Sequence, residues 1–263
     1  KRLASAFVLG AVALGAVLAS PWTFLVLVIA GGTIVAWEWG RLTRGTRFDA
    51  IAAIQTAAVA AIAILVALAQ PGLALFALAA AIVFICLLGL KSGAFAWPVA
   101  GLLYAALPAW SLVWLRGDPA FGAIALLYLL AVAWTTDTAS YVAGRLIGGP
   151  KLAPRLSPHK TWSGLIVGAL APAFVGYAFA VFLNDTSGLR LALVSVAIGA
   201  ACQLGDLSES AVKRHYGAKD MSQLIPGHGG VLDRIDGLLM AALAAAIIAL
   251  RDPSSPGTGL LIW

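Results

Sequence analysis

Apolar positions fall in long blocks that are separated by proline, glycine or charged residues. Each block approaches the roughly 20 residues that an α-helix needs to cross the hydrocarbon core of a bilayer. The pattern predicts about nine transmembrane helices, and hence an all-α polytopic integral membrane protein. The blocks are residues 3–20, 22–39, 50–70, 73–90, 93–115, 119–143, 162–183, 189–210 and 231–250. Only Pro71 and Gly72 part the third block from the fourth, which predicts either a helical hairpin or an irregular pair there.

Composition supports the membrane assignment. The 263 residues are 62% hydrophobic and only 11% charged, whereas charged residues make up about a quarter of a soluble domain. The runs are apolar throughout, while the strands of an outer-membrane barrel alternate in polarity. We expect one membrane domain over residues 1–263, with N-terminal helices in 1–118 and catalytic helices and loops in 119–263.

The cations are distributed unevenly over the predicted loops. Fourteen of them alternate onto one side of the membrane and three, Arg116, Arg190 and Arg251, onto the other. Loops rich in Lys and Arg face the cytoplasm, so we expect the long polar loops 144–161 and 206–230 to be cytoplasmic. Topology therefore accounts for much of the net charge of +6, and no nucleic-acid partner is predicted.

The first polar segment covers residues 134–161. Asp137 stands near the end of an apolar run, where an ionisable side chain suggests function, although an acid that reaches for the interface would look the same. The loop that follows combines cations with the hydroxyls of Ser157 and Thr161 and with prolines that stiffen it, a composition suited to binding phosphate. Its prolines and cations are Arg145, Pro150, Lys151, Pro154, Arg155, Pro158 and Lys160.

The second polar segment covers residues 203–237. If residues 203–214 are helical, Asp206, Ser210 and Lys213 share one face, with Glu209 beside them. A web of structural ion pairs, such as Glu209 with Lys213, is the alternative interpretation.

Two further acids, Asp233 and Asp236, are three residues apart on the next predicted helix. Carboxylates of this kind suit Mg²⁺, which prefers oxygen ligands. The glycine-rich turn over 227–230 lies just before that helix, where backbone can approach an anion closely.

Absent motifs narrow the chemistry. The sequence has no phosphate-binding loop of the nucleotide hydrolases, no serine nucleophile elbow and no zinc-binding HExxH helix. The residues after Asp236 also differ from the pattern of the alcohol phosphotransferases that consume CDP-lipids.

Residues 210–236 read SAVKRHYGAKDMSQLIPGHGGVLDRID, which resembles the signature of the phosphatidate cytidylyltransferases. Two upstream stretches, DTASYVAGR at 137–145 and KLAPRLSPHKT at 151–161, resemble the same family. Ser163 and His159 depart from the family pattern, in which Glu and Lys are common, so we assign no catalytic role to position 163.

The resemblance implies an integral enzyme of the bacterial inner membrane, with its site on the cytoplasmic side, that makes CDP-diacylglycerol and pyrophosphate from CTP and phosphatidate with one or two Mg²⁺ ions. It is compatible with a homodimer. The catalytic residues it implies are Asp206, Asp233, Lys160, Lys219 and Arg234. The metal ligands it implies are Asp206 and Asp233, then Asp220 and Asp236. The residues it implies for substrate binding are Asp137, Arg145, Ser157, Ser210, Lys213, Arg214 and His228.

Two other functions stay open on the sequence. A CTP-dependent kinase of polyprenol or phytol would share much of the site. An ion-coupled transporter could line its path with Asp137 and Asp233, but transporters usually carry paired repeats, whereas the polar residues here lie in the second half.

Overall fold

The computed structural model describes residues 2–45, 48–90, 93, 95–184, 186–225 and 229–263, with the backbone alone over 2–7. It confirms an all-α membrane protein, apart from one short antiparallel hairpin in the described part of the chain. The helices are α1 (Arg2–Ala19), α2 (Pro21–Arg44), α3 (Ala50–Ala67), α4 (Pro71–Gly89), α5 (Ala96–Arg116), α6 (Gly122–Leu146), α7 (Trp162–Leu170), α8 (Pro172–Leu183), α9 (Gly188–His215), α10 (Leu232–Ala249) and α11 (Pro256–Leu261). The strands β1 (Lys151–Ala153) and β2 (Ser157–Thr161) form the hairpin.

Seven helical segments of the described chain are long and apolar enough to cross a membrane. They are α2, α3, α4, α5, α6, the joined pair α7 and α8, and α9. The described apolar part of α1, Val8–Ala19, is shorter, and α10 carries three charged residues in its first turns. The predicted count of nine spans therefore stays a prediction.

Several helix ends follow from local sequence. Ser20 caps α2 by accepting a hydrogen bond from the amide of Thr23 at 3.0 Å, and Pro21 occupies the first helical position, where its missing N–H costs nothing. Gly45 ends α2 at φ +69°, a backbone angle that favours glycine. Pro71 likewise begins α4, so the third and fourth apolar blocks form two separate helices that pack on each other.

Residues 1–117 and 216–234 form one compact unit. In it α2 packs on α3 and α5, and α3 also packs on α4 and α5. Small and branched side chains such as Val35, Ala36, Ile62 and Ala105 fill the core between them. Segment 216–234 belongs to this unit. The predicted division into N-terminal helices over 1–118 and catalytic helices and loops over 119–263 stays a prediction.

Residues 118–215 and 235–263 form the second compact unit. Here α6 packs on α7, α8, α9 and α11, and α8 packs along α9. The hydroxyls of Tyr128 and Ser195 lie 2.7 Å apart in this interior, which satisfies two buried polar groups at once.

Candidate active site

The C-terminal half of α9 presents the polar face that the sequence predicts. Asp206, Glu209, Ser210 and Lys213 all lie in this helix, and Glu209 and Ser210 are buried. Spacings of three, four and seven residues place these side chains on one side of a helix. The first half of α9 is mostly apolar, whereas its second half carries the charged side chains.

Three carboxylates gather where α9 meets α10. Carboxylate oxygens of Asp206, Glu209 and Asp236 all lie within 4.8 Å of one another. The two helices can approach this closely because of two glycines: a Cβ at Gly205 would lie 2.6 Å from the carbonyl oxygen of Asp236, and one at Gly237 would lie 2.6 Å from the Sγ of Cys202. Three hard oxygen donors in one place fit a divalent cation such as Mg²⁺.

Two lysines accompany these carboxylates. Lys160 Nζ lies 2.7 Å from Asp206 Oδ2, and Lys213 Nζ lies 2.6 Å from Glu209 Oε2. The second pair is the helical ion pair that we considered as a structural alternative, and Glu209 has a side chain only 1% exposed. A pair buried to this extent adds little net stability, because desolvation offsets the Coulomb attraction. Stability alone is therefore a weak reason for placing these charges here.

Lys160 is held by the β1–β2 hairpin, where the sequence predicts only a loop stiffened by prolines. Lys151 pairs with Thr161 and Ala153 with Ser157. Thr161 then caps α7 by accepting a hydrogen bond from the amide of Gly164 at 3.1 Å. Ser157 lies half-buried on β2, so hairpin and cap together fix the position of this predicted site residue and of Lys160.

Further hydrogen bonds hold the hairpin in place. The hydroxyl of Ser163 donates to the carbonyl of Gly148 at 2.5 Å, a structural contact at a position to which we assigned no catalytic role. Arg214 Nε donates to the carbonyl of Leu156 at 3.1 Å. The end of α9 is thereby tied to the turn between the strands.

Asp137 and Arg145 both lie on α6. Asp137 interacts electrostatically with Asp206 and Lys160, which places it near the carboxylates of α9. Arg145 Nη1 donates to the hydroxyl of Tyr141 at 2.8 Å on the exposed surface of the helix. Their predicted roles in substrate binding stay predictions.

The signature loop, residues 216–231, lies in the first unit together with the start of α10. Lys219 and Asp220 are exposed in the loop, and Arg234 is exposed on α10. His228 lies outside the described residues. Asp233 Oδ2 accepts hydrogen bonds from the amides of Met221 at 2.9 Å and Gly230 at 2.7 Å.

Asp233 therefore folds the signature loop back onto the start of its own helix. Gly229 has φ +86°, and a Cβ there would lie 2.9 Å from Asp233 Oδ2, so this position requires glycine both for its conformation and for space. The three-carboxylate group found among the described residues does not include Asp233, and its role as a metal ligand stays a prediction.

One buried acid, Glu38, is not among the predicted site residues. Glu38, in α2, is fully buried and bonds to Ser222 and to the amides of Val231 and Leu232. An ionisable residue inside an apolar run is itself a functional signal, the same signal that singled out Asp137. Its partners lie more than 180 residues away in sequence, and no local pattern identifies them.

The fold and this site together define a polytopic α-helical membrane protein with a polar centre of carboxylates and lysines. A model of the cytidylyltransferase family matches residues 1–250. The phosphatidate cytidylyltransferase of Brucella suis biovar 1 is 41% identical over 263 residues, which cover 97% of this chain and 96% of that protein, and that of Brucella melitensis biotype 1 matches to the same extent. The phosphatidate cytidylyltransferase of Haemophilus influenzae is 47% identical over 129 residues, 47% of this chain and 45% of that protein. The chain belongs to the cytidylyltransferase family and is a nucleotidyltransferase.

Proposed function

We propose that this enzyme transfers the cytidylyl group of CTP to phosphatidate, giving CDP-diacylglycerol and pyrophosphate. The observation that carries the proposal is the close grouping of Asp206, Glu209 and Asp236 with the ammonium groups of Lys160 and Lys213. Such a group suits a reaction in which all the reacting partners are phosphates. Relatives with this name match along nearly the whole chain.

The reaction needs no nucleophile from the protein. A phosphate oxygen of phosphatidate attacks the α-phosphorus of CTP, the bond from that phosphorus to the bridging oxygen breaks, and pyrophosphate leaves with the bonding electrons. The protein has to orient two anions and neutralise the charge that shifts onto the leaving group. A site of lysines and carboxylates, without an activated serine or cysteine, meets this need.

Cations of the chain would carry out the neutralisation. In this proposal Lys160 and Lys213 leave their carboxylate partners to bind phosphate oxygens, and Lys219 and Arg234 bind phosphate from the signature loop and α10. Lysine ammonium groups act as mobile point charges, which suits a group that follows the leaving pyrophosphate. The groups that would support substrate binding are Asp137, Arg145, Ser157, Ser210, Arg214 and His228.

The carboxylates would hold Mg²⁺. Asp206 and Asp236 supply oxygens in the three-carboxylate group, and Asp233 and Asp220 are further proposed ligands. The bound ion would neutralise charge on the transferred phosphoryl group and on the leaving pyrophosphate. A carboxylate has two oxygens and several lone pairs, so Asp206 can accept from Lys160 and still offer an oxygen to the ion.

The site would face the cytoplasm of a bacterial cell from the inner membrane, where CTP is available, and a homodimer is the proposed assembly. A reporter inserted after Lys160 should then be cytoplasmic, whereas a reporter fused after Trp263 should be external. Alkaline phosphatase is active only outside the cytoplasm, so its activity checks both positions. Phosphatase activity of the reporter inserted after Lys160 would contradict the proposed orientation.

The position of the label in CTP tests the reaction itself. Purified full-length protein in detergent receives phosphatidate, Mg²⁺ and CTP labelled at either the α- or the γ-phosphate. We expect the α-label in the lipid and release of one pyrophosphate for each label transferred. In a parallel reaction with polyprenol or phytol in place of phosphatidate, transfer of the γ-label would identify the lipid-alcohol kinase. Transfer of neither label in either reaction would refute both enzyme functions.

A further inference from the structure

Glu38 makes polar contacts with residues more than 180 positions away in sequence. Its Oε1 accepts a hydrogen bond from the hydroxyl of Ser222 at 2.6 Å and another from the amide of Val231 at 2.9 Å. Its Oε2 accepts a hydrogen bond from the amide of Leu232 at 2.7 Å. One carboxylate from α2 thus binds the signature loop and the first residue of α10 together.

The contacts explain how a carboxylate can be fully buried at this position. Moving a charge out of water is expensive unless hydrogen bonds replace the lost hydration. Three donors supply such bonds, and the start of a helix carries partial positive charge that favours an anion. In return, Glu38 caps α10, whose preceding residue, Val231, has no side chain able to do so.

Gly230 shows how closely the carboxylate fits the loop. A Cβ on Gly230 would lie 2.5 Å from Oε1 of Glu38 and 2.8 Å from its Cδ. The carboxylate therefore fills the space that any larger side chain at position 230 would need. Position 230 therefore has to be glycine as long as the Glu38 carboxylate lies beside it.

We infer that Glu38 is a positioning residue for nucleotidyl transfer. By holding Ser222 and the start of α10, it fixes the segment that carries Lys219, Asp233 and Arg234. This inference rests on the proposed function, in which those three residues bind phosphate and metal. Glu38 acts through them and has no contact of its own with substrate in this account.

The first test replaces the carboxylate by an amide of the same size. In Glu38→Gln one acceptor oxygen becomes an NH₂ group that must face an amide or hydroxyl donor, so donors are left unsatisfied. We expect amides of residues 221–235 to exchange with deuterium about tenfold faster, measured by mass spectrometry on the full-length protein in detergent. We also expect kcat/KM to fall about 10²-fold, with a higher Mg²⁺ concentration needed for half-maximal rate.

Gln55→Met provides the matched control. Gln55 is also fully buried in the first unit, and its Nε2 donates to the carbonyl of Pro98 at 2.7 Å, far in sequence from the signature loop. This change should lower thermal stability while leaving exchange over 221–235, KM and the Mg²⁺ requirement unchanged. If Glu38→Gln also lowers only the thermal stability, as expected for Gln55→Met, Glu38 has a purely structural role and the inference is wrong.

The second test couples Glu38 to Gly230. Gly230→Ala alone should speed exchange over 221–235 and lower turnover about 10²-fold, because the new methyl group collides with the carboxylate. In a Glu38→Ala background the same change should alter either quantity less than about twofold, because the space is then free. Additive effects would overturn the inference.

The results distinguish a wrong proposed function from a wrong role for Glu38. Wild-type protein that transfers no label from CTP to phosphatidate refutes the proposed function. Wild-type protein that transfers the label, together with a Glu38→Gln variant that keeps normal kinetic constants, refutes only the role of Glu38.

Discussion

The two ends of the second unit use carboxylates in opposite ways. At the end formed by the hairpin and the last turns of α9, Asp206 and Glu209 meet lysine ammonium groups at 2.7 and 2.6 Å. At the other end, Asp118 accepts hydrogen bonds from the amides of Ala120, Phe121 and Gly257 at 2.8 to 2.9 Å. The hydroxyl of Ser255 adds a fourth bond to Asp118 at 2.7 Å.

The partners of the carboxylates distinguish a structural role for Asp118 from a chemical role for Asp206 and Glu209. Backbone amides cannot leave their partner without unfolding the segment, so Asp118 fastens the start of α6 to the start of α11. A lysine side chain can move to a phosphate and return. The same residue type therefore serves as a permanent anchor at one end and as part of an exchangeable charge network at the other.

Substitution of the carboxylates should give the largest contrast. Asp206→Asn and Asp236→Asn each remove an anionic ligand at nearly constant size, so turnover should fall by several orders of magnitude. The double variant should be little worse than either single one, as expected for residues that act as a unit. Turnover with CTP and phosphatidate at saturating Mg²⁺ checks this, and retention of more than about a tenth of wild-type turnover by Asp206→Asn would remove it from the metal site.

Neutralising one lysine should have the next largest effect. Lys160→Gln should lower turnover about 10²-fold, since a donor that strengthens its contact as charge develops contributes about 3 kcal/mol. Arg41→Gln is the control: Arg41 lies on the same predicted side of the membrane, 5.6 Å from the ring centre of Trp37. It should stay within about threefold of wild type, and equal losses in both variants at equal membrane content would leave the hairpin lysine without a special role.

Asp118→Asn should affect stability instead of turnover. The amide would turn a donor toward backbone amides, which costs about 1–3 kcal/mol of unfolding free energy. Activity per folded molecule should not change. Thermal unfolding of the detergent-solubilised protein, followed with activity at low temperature, separates the two effects.

The pH dependence of that stability has a definite sign. Burial alone would raise the pKa of Asp118, but hydrogen bonds from Phe121, Ser255 and Gly257 outweigh it and leave the pKa below its ordinary value of 3.8. The stability that Asp118 supplies is therefore complete above pH 3.8 and is lost as the pH falls through the lowered pKa of the folded state. Asp118→Asn should flatten this part of the acid unfolding curve.

The smallest effect is expected at the C-terminus. The Arg251 guanidinium lies 3.6 Å from the ring centre of Trp263 and donates to the carbonyl of Gly259 at 3.0 Å. Arg251→Lys weakens the stacking and should lower the unfolding free energy by less than about 1 kcal/mol. A change in KM for CTP on this substitution would contradict the division between the two ends.

Sequence predicts the helices well and the tertiary contacts less well. Apolar blocks fix where helices lie because length and hydropathy are local properties, and the face of α9 follows from helical spacing. The hairpin at 151–161 could not be predicted, since prolines and cations indicate only an irregular loop. Pro172 causes the interruption between α7 and α8, because proline cannot continue a helix that precedes it. The uniformly high hydropathy of residues 162–183 gives no sign of this break.

The site could be predicted in part for the same reason. Asp206, Lys160 and Lys213 lie in recognisable motifs, and helical spacing predicts Glu209 beside Asp206. That Asp236 joins Asp206 and Glu209 depends on the close approach of two helices at Gly205 and Gly237, which no spacing encodes.

Direct binding of a divalent ion tests the central claim, that carboxylates at one end can accept a metal while those at the other end are already occupied. Mn²⁺, a paramagnetic substitute for Mg²⁺, is titrated into the purified protein and free Mn²⁺ is measured by electron paramagnetic resonance. We expect Asp206→Asn and Asp236→Asn to weaken binding more than about tenfold, and Asp118→Asn to bind as the wild type does. Equal weakening by Asp118→Asn, or no change in the first two variants, would contradict the account.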